Sequence, residues 1–468
     1  MTIMKRLYRI ALVAFVALMP YIAGAQTLRG SYFLDNSLQR HKLNPAFAPR
    51  ANYFSIPALG NIGLDVSSNV GLSNFVFPKN GELYTYLNQN VSVEEFESKL
   101  PKNPYLGLDV DTDLLNFGFY INKTDFITFD LTTRIDLKTN MPKDLFMFTK
   151  KGMATMSERY NLGGFDIFST AAVKASVGYS KDLNEYVKGL RVGAKLNFAT
   201  GLNYLQMSIE EASIFASADK WEVSAQANGQ IASSFLKIQE LDSESVLVTD
   251  FSKLAPVGFG MGLDLGAEYV LNIGSIVDGM TFSASVQNLG FFTFGKKNSQ
   301  TLTSKGGTTF EGFNGITITD FDLGDTMTEL TDDLMEVANY KVLASEGFSI
   351  SPRPTLNLGV EMPFVNNLMS VGALYTVKGG YGKAWNELTL SYNLTPAKWF
   401  NFGLNYSFLN TAKSMGWILE FTPKAGVNFF LGSDYTFFAV TPQFVPVNEL
   451  CANLRLGLSF MLGSKHAR

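Results

Sequence analysis

The chain has 468 residues, of which 46% are hydrophobic, 13% aromatic and only 17% charged, and its formal net charge is −4. An average soluble domain has about 25% charged residues, and past the N-terminal region no window approaches the about 18 continuous apolar residues of a membrane-spanning helix. The composition therefore disfavours an ordinary soluble domain, excludes a helical membrane protein and indicates no nucleic-acid partner.

Residues 1–25 have the features of a secretory signal. Basic residues precede an apolar stretch at 10–19 and the small-residue site Ala23-Gly24-Ala25, so we expect the mature chain to begin at Gln26. The alternative, an N-terminal membrane helix, is weaker because Pro20 interrupts the apolar run, whereas a spanning helix needs about 20 residues.

The last part of the chain alternates strictly between apolar and polar or small residues. Successive side chains of a strand point to opposite faces, so such a strand lies between two different environments. In a soluble sandwich the apolar face meets a second sheet; in a transmembrane barrel it meets lipid, and the polar face meets a lumen. The apolar residues are Leu454, Leu456, Leu458, Phe460 and Leu462, and the others are Asn453, Arg455, Gly457 and Ser459.

The same alternation recurs along the mature chain. An even strand number is favoured in bacterial barrels, so we predict an all-β, antiparallel transmembrane barrel of about 14 strands, within a range of about 12 to 16. A soluble secreted β-sandwich is the alternative, and independence from detergent would distinguish it. The segments are 62–72, 115–121, 127–137, 167–179, 190–198, 221–227, 257–269, 282–286, 356–362, the neighbourhood of Leu374, 388–394, 400–408 and 417–421.

One of these segments, 257–269, has glycine on one face. Gly258, Gly260, Gly262 and Gly266 alternate with apolar side chains. Glycine inside a strand often marks a place where another backbone approaches closely. We predict that these four glycines face the lumen and leave room there for backbone or a plug.

Three stretches break the alternation. Ser92 followed by Glu95 is a capping box, which predicts a helix start; 142–152 reads as a short helix, and 324–345 reads as a longer amphipathic helix within a long insert at 296–350. In a barrel such segments belong to extracellular loops, rim helices or a plug, where binding residues are common. The alternative is that they only cap the barrel.

Residues suited to catalysis or metal binding are sparse. The two histidines, His41 and His466, stand in no metal-ligand or nucleophile pattern. The acidic run at 109–113 lacks the later glycine and glutamate of a calcium loop, which favours solvated loop acids. We predict no enzyme activity, no cofactor and no bound metal, and we expect His41 to have a structural, hydrogen-bonding role.

Aromatic residues near the predicted strand ends are candidates for interfacial girdles, which membrane barrels have at both interfaces. Packing within loops is the alternative. The candidates are Tyr381, Trp385, Trp399, Tyr435, Phe437, Phe438 and Phe444.

Several segments resemble a known family. The stretches 31–36, 40–49 and 59–62, the Phe-Leu-Gly-Ser-Asp turn at 430–434 and the Thr-Pro-Gln stretch at 441–443 are similar to those of the DUF5723 family, a group of outer-membrane proteins of Bacteroidota. The similarity covers the whole mature chain.

A more distant resemblance rests on two motifs. Asn44-Pro45-Ala46 is similar to the Asn-Pro-Ala motif of FadL-type barrels and of the PorV proteins of type IX secretion, although Asn-Pro alone is also a common turn. The sequence at 285–290 resembles a strand end of PorV-like chains. FadL-type proteins are barrels of 14 strands with an N-terminal plug that carry hydrophobic compounds, whereas PorV-type proteins hand secreted proteins to surface machinery.

The resemblance implies a division of the mature chain into a plug-like segment at 26–60 and an outer-membrane barrel at 61–468. Asn44, Pro45, Ala46 and, with them, His41 would then lie in the lumen. No long apolar insert is found near residue 100, which argues against a fatty-acid carrier.

Two functions follow as expectations. The first is passage or binding of a small hydrophobic or amphipathic solute across the outer membrane, in a pocket shaped by strands 256–270 and 400–408. The second is a structural or interaction barrel with a closed lumen that serves surface protein export, as PorV-type proteins do, and presents the 296–350 insert to a protein partner. The expected partners are outer-membrane lipid, the barrel-assembly machinery acting on the C-terminal strand, and either that solute or that protein.

Overall fold

The structure is a computed structural model that describes residues 28–151, 158–216, 221–241, 244–272, 274, 279–310, 341–344, 346–379, 385–409, 413–423, 426–436 and 450–462. The predicted signal at 1–25 lies outside these residues. So does most of the helix predicted at 324–345. Among the described residues, no helix combines the length and hydrophobicity needed to span a membrane.

Strands make up most of the described chain. Their bounds are β1 Asn52–Ser55, β2 Ile62–Ser68, β3 Val76–Lys79, β4 Glu82–Thr85, β5 Tyr105–Tyr120, β6 Asp125–Asn140, β7 Glu158–Asn161, β8 Phe165–Asp182, β9 Leu190–Ala216, β10 Trp221–Ser233, β11 Leu236–Leu241, β12 Glu244–Thr249, β13 Gly258–Val270, β14 Thr281–Phe294, β15 Ser299–Phe310, β16 Lys341–Ala344, β17 Phe348–Ile350, β18 Thr355–Phe364, β19 Met369–Lys378, β20 Trp385–Ala397, β21 Phe400–Leu409, β22 Lys413–Phe421, β23 Val427–Thr436 and β24 Leu450–Leu462.

Fourteen strand positions form a closed antiparallel barrel, which confirms the predicted fold and strand number. The last strand, β24, pairs with both β1 and β2 at the start of the chain, and these two pairings close the wall. β1 and β2 share the first position because both pair with β5 on their other side, and β17 and β18 share another because both pair with β14. The remaining positions are β5, β6, β8, β9, β13, β14, β19, β20, β21, β22, β23 and β24.

The two rims of the barrel differ in the length of their connections. On one rim the turns are short, as at 121–124, 365–368 and 398–399, and the opposite rim carries long connections such as 69–104 and 295–354. Outer-membrane barrels have short periplasmic turns and longer extracellular loops. We therefore orient the long-loop rim towards the outside of the cell.

Among the residues that the structure describes, three short helices lie on the long-loop rim: α1 Leu72–Phe75, α2 Val93–Lys99 and α3 Lys143–Lys151. The Ser92 hydroxyl oxygen accepts a hydrogen bond of 3.1 Å from the backbone N–H of Glu95, which confirms the predicted helix start. Phe96 and Met147 are buried in one apolar cluster between these elements. The predicted helix at 142–152 is likewise confirmed.

Burial in the wall is the reverse of that in a soluble protein. In β24, Leu454 and Phe460 are 47% and 42% exposed, whereas Arg455 and Ser459 are each 1% exposed. The outer surface therefore presents apolar side chains to lipid, and charged and amide side chains fill the interior. This arrangement excludes the soluble sandwich.

Four sequence expectations need correction. The wall begins at Asn52, not at residue 61, because β1 already pairs with both neighbouring strands. The predicted turn at 430–434 lies within β23, where adjacent apolar residues hide the alternation. The 221–227 segment lies in β10, but β10 is not one of the fourteen wall positions. It pairs with residues 203–216 of β9, beyond the part of β9 that pairs with β13 in the closed wall. Residues 341–344 of the predicted helix form β16, which pairs with β15.

Candidate functional site: the plug and the lumen cavity

Residues 28–50, here called the plug segment, lie inside the barrel and contact its wall on several sides. The Tyr32 hydroxyl group is 3.1 Å from the Ser283 hydroxyl group on β14, and the Asn36 amide is 3.2 Å from the Asn401 side-chain oxygen on β21. Tyr32 is itself fully buried against Phe47. The segment is therefore packed within the lumen.

The Asn44-Pro45-Ala46 turn docks on two neighbouring glycines of the wall. Gly193 on β9 and Gly266 on β13 are directly paired. A Cβ added at Gly266 would lie 1.9 Å from Asn44 Oδ1, and one added at Gly193 would lie 2.2 Å from the Pro45 carbonyl oxygen. The turn occupies the space that side chains would take on two adjacent strands.

Hydrogen bonds hold this turn in place. Asn44 Oδ1 accepts a bond of 3.0 Å from the Ala46 N–H, and Asn44 Nδ2 donates to the carbonyl oxygens of Ala267 and Ala284 at 3.2 Å each. The Ser180 hydroxyl group donates to the Ala46 carbonyl oxygen at 2.9 Å. A side-chain amide that bonds at once to its own turn and to β13 and β14 explains the need for asparagine at position 44.

The side chain of His41 is buried in a polar cluster beneath the turn. His41 Nε2 lies 3.0 Å from Asp130 Oδ1, and Lys195 Nζ lies 2.9 Å from Asp130 Oδ2. The other ring nitrogen, Nδ1, is 2.9 Å from the Leu38 carbonyl oxygen. Burial lowers the pKa of the His41 imidazole, although the Asp130 carboxylate acts in the opposite direction. His41 thus connects the plug segment to β6 and β9 through Asp130.

The expectation that the acidic run at 109–113 consists of solvated loop acids is wrong. Asp109, Asp111 and Asp113 lie on the inner face of β5 and are buried, so they are not solvated loop acids. Each has a cationic partner from elsewhere in the barrel: Arg134 on β6 contacts Asp109, and Lys42 of the plug segment contacts Asp113. A buried carboxylate is stable only when it is paired, and these strands supply the pairs.

Arg455 on the closing strand pairs with two carboxylates at the seam of the barrel. Its guanidinium lies 3.2 Å from Asp65 on β2, and its Nη1 donates to Asp111 Oδ2 on β5 at 2.9 Å. A Cβ added at Gly63 would lie 2.4 Å from Arg455 Cζ, so this glycine leaves room for the guanidinium. Three strands that are far apart in sequence are thereby joined by one charge cluster.

The start of the plug segment is anchored near the long-loop rim. The backbone N–H groups of Arg29 and Gly30 donate to the two carboxylate oxygens of Asp434 at 2.8 and 2.9 Å. The Arg29 guanidinium lies 3.2 Å from Glu387 and 4.6 Å from the centre of the Trp385 ring.

The prediction of an aromatic girdle is wrong for two of its candidates. Trp385 faces Arg29, and the Tyr435 hydroxyl group donates to Glu387 at 2.8 Å, so both residues lie on the lumen side of the wall. Trp399 is half exposed on the outer surface at the short-turn rim. Tyr381, Phe437, Phe438 and Phe444 lie outside the described residues.

A cavity of about 350 Å³ lies between the plug segment and the wall. Its polar side includes Lys42 of the plug segment and Lys195 of β9, and its apolar side includes Phe168, Phe292 and Phe294. The lining therefore combines aromatic rings with many charged and amide side chains, which could contact both parts of an amphipathic small molecule.

The predicted inner glycines have different neighbours in the structure. Gly260 and Gly262 line the cavity, and a Cβ added at Gly260 would meet the Phe292 ring at 2.4 Å. At Gly262 the nearest atom would be 3.7 Å away, an ordinary contact distance, so an added Cβ fits there without displacing a neighbour. Gly258 lies against Phe292 and Phe294, whereas Gly266 lies against Asn44. Residues 400–408, expected to shape the pocket, are not among those that line this cavity in the described structure.

A β-bulge brings the aromatic side of the cavity inward. The sequence at 285–290, which resembles a strand end, lies in the middle of β14, where the pairing with β13 shifts register at Asp264. Asn288 has a positive φ of 60°, and its N–H donates to Asp264 Oδ1 at 2.7 Å. Because the extra residue reverses the alternation, Phe292 and Phe294 face the lumen.

Among the described residues, no group of three or more His, Cys, Asp or Glu side chains is placed to hold a metal ion. The cavity also lacks, within the same residues, a hydrogen-bonded nucleophile and base of the kind that acyl transfer requires.

Comparisons with solved structures find several proteins to which this chain is similar. A TodX monoaromatic hydrocarbon channel is similar over 90% of this chain and 93% of its own, with a TM-score of 0.43 and 10% identity. A FadL homologue of Pseudomonas aeruginosa is similar over 92% and 95%, with a TM-score of 0.41 and 9% identity. The outer-membrane protease OmpT of Escherichia coli is similar over 88% and 97%, with a TM-score of 0.23 and 7% identity.

No functionally curated protein has a sequence that matches this chain. The model of a family of unknown function, DUF5723, matches residues 45–434, which include Pro45 and Ala46 of the turn, most of the residues that line the cavity and most of the wall. The chain is therefore a member of the DUF5723 family and has the fold of an outer-membrane β-barrel.

Proposed function

We propose that this barrel binds a small hydrophobic or amphipathic solute in the cavity between the plug segment and the wall, and that it passes the solute across the outer membrane without chemical change. The observation that carries the proposal is the cavity itself, whose lining combines aromatic rings with polar and charged side chains of the wall and with Lys42 of the plug segment. A solute in this position would contact wall and plug together, so its binding and a shift of the plug would be linked.

The cavity makes a direct test available at Gly262. A large side chain there would project into the cavity, because Gly262 lines it and an added Cβ would meet its nearest neighbours only at an ordinary contact distance of 3.7 Å. We expect Gly262→Phe to slow the uptake of phenyl glucoside, a neutral amphipathic probe, by proteoliposomes about tenfold, a loss of about 1.4 kcal/mol in solute interaction. Swelling of the liposomes measures the uptake.

The matched control is Leu265→Phe, which adds a ring on the lipid face of the same strand, where Leu265 is exposed. Proteoliposomes with this variant should take up phenyl glucoside as fast as those with the unchanged protein. Sucrose, which has no apolar part, should enter more slowly than phenyl glucoside. Two outcomes would refute a solute pathway through this cavity. The first is uptake of phenyl glucoside by the unchanged protein that is no faster than uptake by empty liposomes, and the second is equal uptake by Gly262→Phe and Leu265→Phe.

A second candidate function is favoured by a different observation. The plug segment is bonded to at least β6, β8, β13, β14 and β21 by buried or partly buried hydrogen bonds, as in a barrel whose lumen stays closed. Such a barrel would act through its long-loop rim, which would bind a protein partner. An unchanged protein that takes up neither probe, but opens when the plug segment is removed, would favour this function.

A further inference from the structure

A cluster of three cationic residues lies where two cavities meet. The first cavity is the one described above, and a second of about 450 Å³ lies nearer the long-loop rim. Lys138 of β6, Lys378 of β19 and Arg353, just before β18, line both cavities. A solute that moves from the rim to the inner cavity would pass these three side chains, here called the cationic gate.

The two lysines of the gate have no anionic partner within the described structure. Neither ammonium group forms a hydrogen bond or an ion pair there, although Lys378 is only 7% exposed. The nearby carboxylates of Asp109 and Asp136 both contact Arg134 instead. A buried ammonium group without a partner is unfavourable, and a bound anion would relieve that cost.

Neighbouring charges increase this imbalance. Lys138 is repelled by Arg353 and Arg134, and Lys378 is repelled by Arg134 and Lys138. The attraction of Asp136 and Asp109 opposes these repulsions, but both carboxylates are already engaged by Arg134. The gate therefore has an excess of positive charge that faces two cavities.

An aromatic surface adjoins the gate on the inner side. The Arg353 guanidinium lies 6.0 Å from the centre of the Phe168 ring. Phe168 packs edge-on against Tyr204 at 5.7 Å, and Tyr204 lies 5.0 Å from Phe294. Phe168, Phe292 and Phe294 all line the inner cavity. One site thus offers cations at one end and apolar rings at the other.

We propose that the cationic gate binds the acidic group of an amphipathic anion, a carboxylate, sulfonate or phosphate, whose apolar part lies against Phe168, Phe292 and Phe294. This inference rests on the proposed solute site and names the class of solute that the site selects. Charge-assisted hydrogen bonds from two ammonium groups and one guanidinium would bind the acidic group, and ring contacts would bind the remainder.

The test measures binding alone, so it does not depend on transport. The purified protein in nanodiscs of zwitterionic lipid is titrated calorimetrically with 1-naphthoate, with the neutral analogue 1-naphthamide and with sulfate. We expect naphthoate to bind more tightly than either of the others, since only naphthoate combines charge with an apolar ring. Zwitterionic lipid removes anionic headgroups as a competing source of the acidic group.

Two variants and one control assign the binding to the gate. Lys378→Met and Lys138→Met should each weaken naphthoate binding about tenfold or more, because each removes a charge-assisted hydrogen bond. Binding of naphthamide should change little. Lys123→Met, which removes an exposed lysine from a short turn, is the control for loss of charge alone. Heat-modifiable gel mobility checks that each variant remains folded.

Several outcomes would overturn the inference. These are equal affinity for naphthoate and naphthamide, sulfate binding as tight as naphthoate binding, naphthoate affinity unchanged in both gate variants, and no binding of naphthoate at all. Selective naphthoate binding by a protein that shows no uptake would support the gate and refute the transport function, so the two proposals fail separately.

Discussion

Deletion of residues 31–49 should convert the barrel into an open pore. The wall does not need these residues, since β1 begins at Asn52 and pairs with β5 and β24 on its own. Removal of residues 31–49, most of the plug segment, leaves a lumen lined by charged and amide side chains, and water and ions would fill it. We expect the conductance of single proteins in planar bilayers to rise from near background to that of a stable pore.

Two single substitutions on β13 provide a matched test of whether the plug segment blocks the lumen. Gly266→Ala places a Cβ where Asn44 Oδ1 lies, so it should displace the Asn-Pro-Ala turn and produce intermittent opening. Gly262→Ala adds the same atom where the nearest neighbour is 3.7 Å away, and should leave the conductance unchanged. If the deletion variant folds but stays closed, the plug segment is not what blocks the lumen.

Arg455→Met should destabilise the barrel strongly. The guanidinium is 1% exposed and is the partner of both Asp65 and Asp111, so its loss leaves two buried carboxylates uncompensated at the closing seam. Removal of one partner from a buried ion pair costs about 3–5 kcal/mol. The free energy of unfolding in urea, followed by gel mobility and tryptophan fluorescence in detergent micelles, measures the loss.

The charge cluster also allows a rescue experiment. Arg455→Met combined with Asp111→Asn should recover part of the lost stability, because one of the two unpaired charges is then absent. Asp111→Asn alone leaves Arg455 its contact with Asp65 and should cost less than the loss of Arg455. Equal stability of Arg455→Met and the unchanged protein would mean that the seam depends on backbone pairing alone.

The sequence indicates the wall well because alternation is a local signal. The inward and outward faces of β24 follow directly from single residues, and the pattern at 257–269 shows which glycines share a face. The pattern is less informative where strands bend. β23 has adjacent apolar residues, and the bulge at Asn288 reverses the faces of β14 within one strand.

The site is harder to predict because its parts come from distant strands. Asp109, Asp111 and Asp113 resemble solvated loop acids until barrel closure brings Arg134, Arg455 and Lys42 to them. The alternation of Asp109 and Asp111 with Leu108 and Val110 was the sequence signal that could have placed these acids on an inner face. Gly193, the second glycine under the Asn-Pro-Ala turn, acquires its role only through its pairing with Gly266.

The cationic gate was not foreseen for the same reason. Lys138, Arg353 and Lys378 belong to β6, a connection and β19, and no spacing in the sequence relates them. Only the closed wall brings them to the boundary between two cavities. The strands and the face of each side chain can be recognised from short stretches of sequence. Which side chains meet across the lumen depends on how the whole barrel closes.

Thiol labelling at position 262 tests most directly whether solute passes through the lumen cavity. In a Cys451→Ser background, Gly262→Cys places the thiol in the cavity and Leu265→Cys places it on the lipid face. We predict that a membrane-impermeant methanethiosulfonate reacts with the first variant, and that this reaction stops uptake of phenyl glucoside, while the second variant stays active. Full labelling at 262 with undiminished uptake would contradict passage through this cavity.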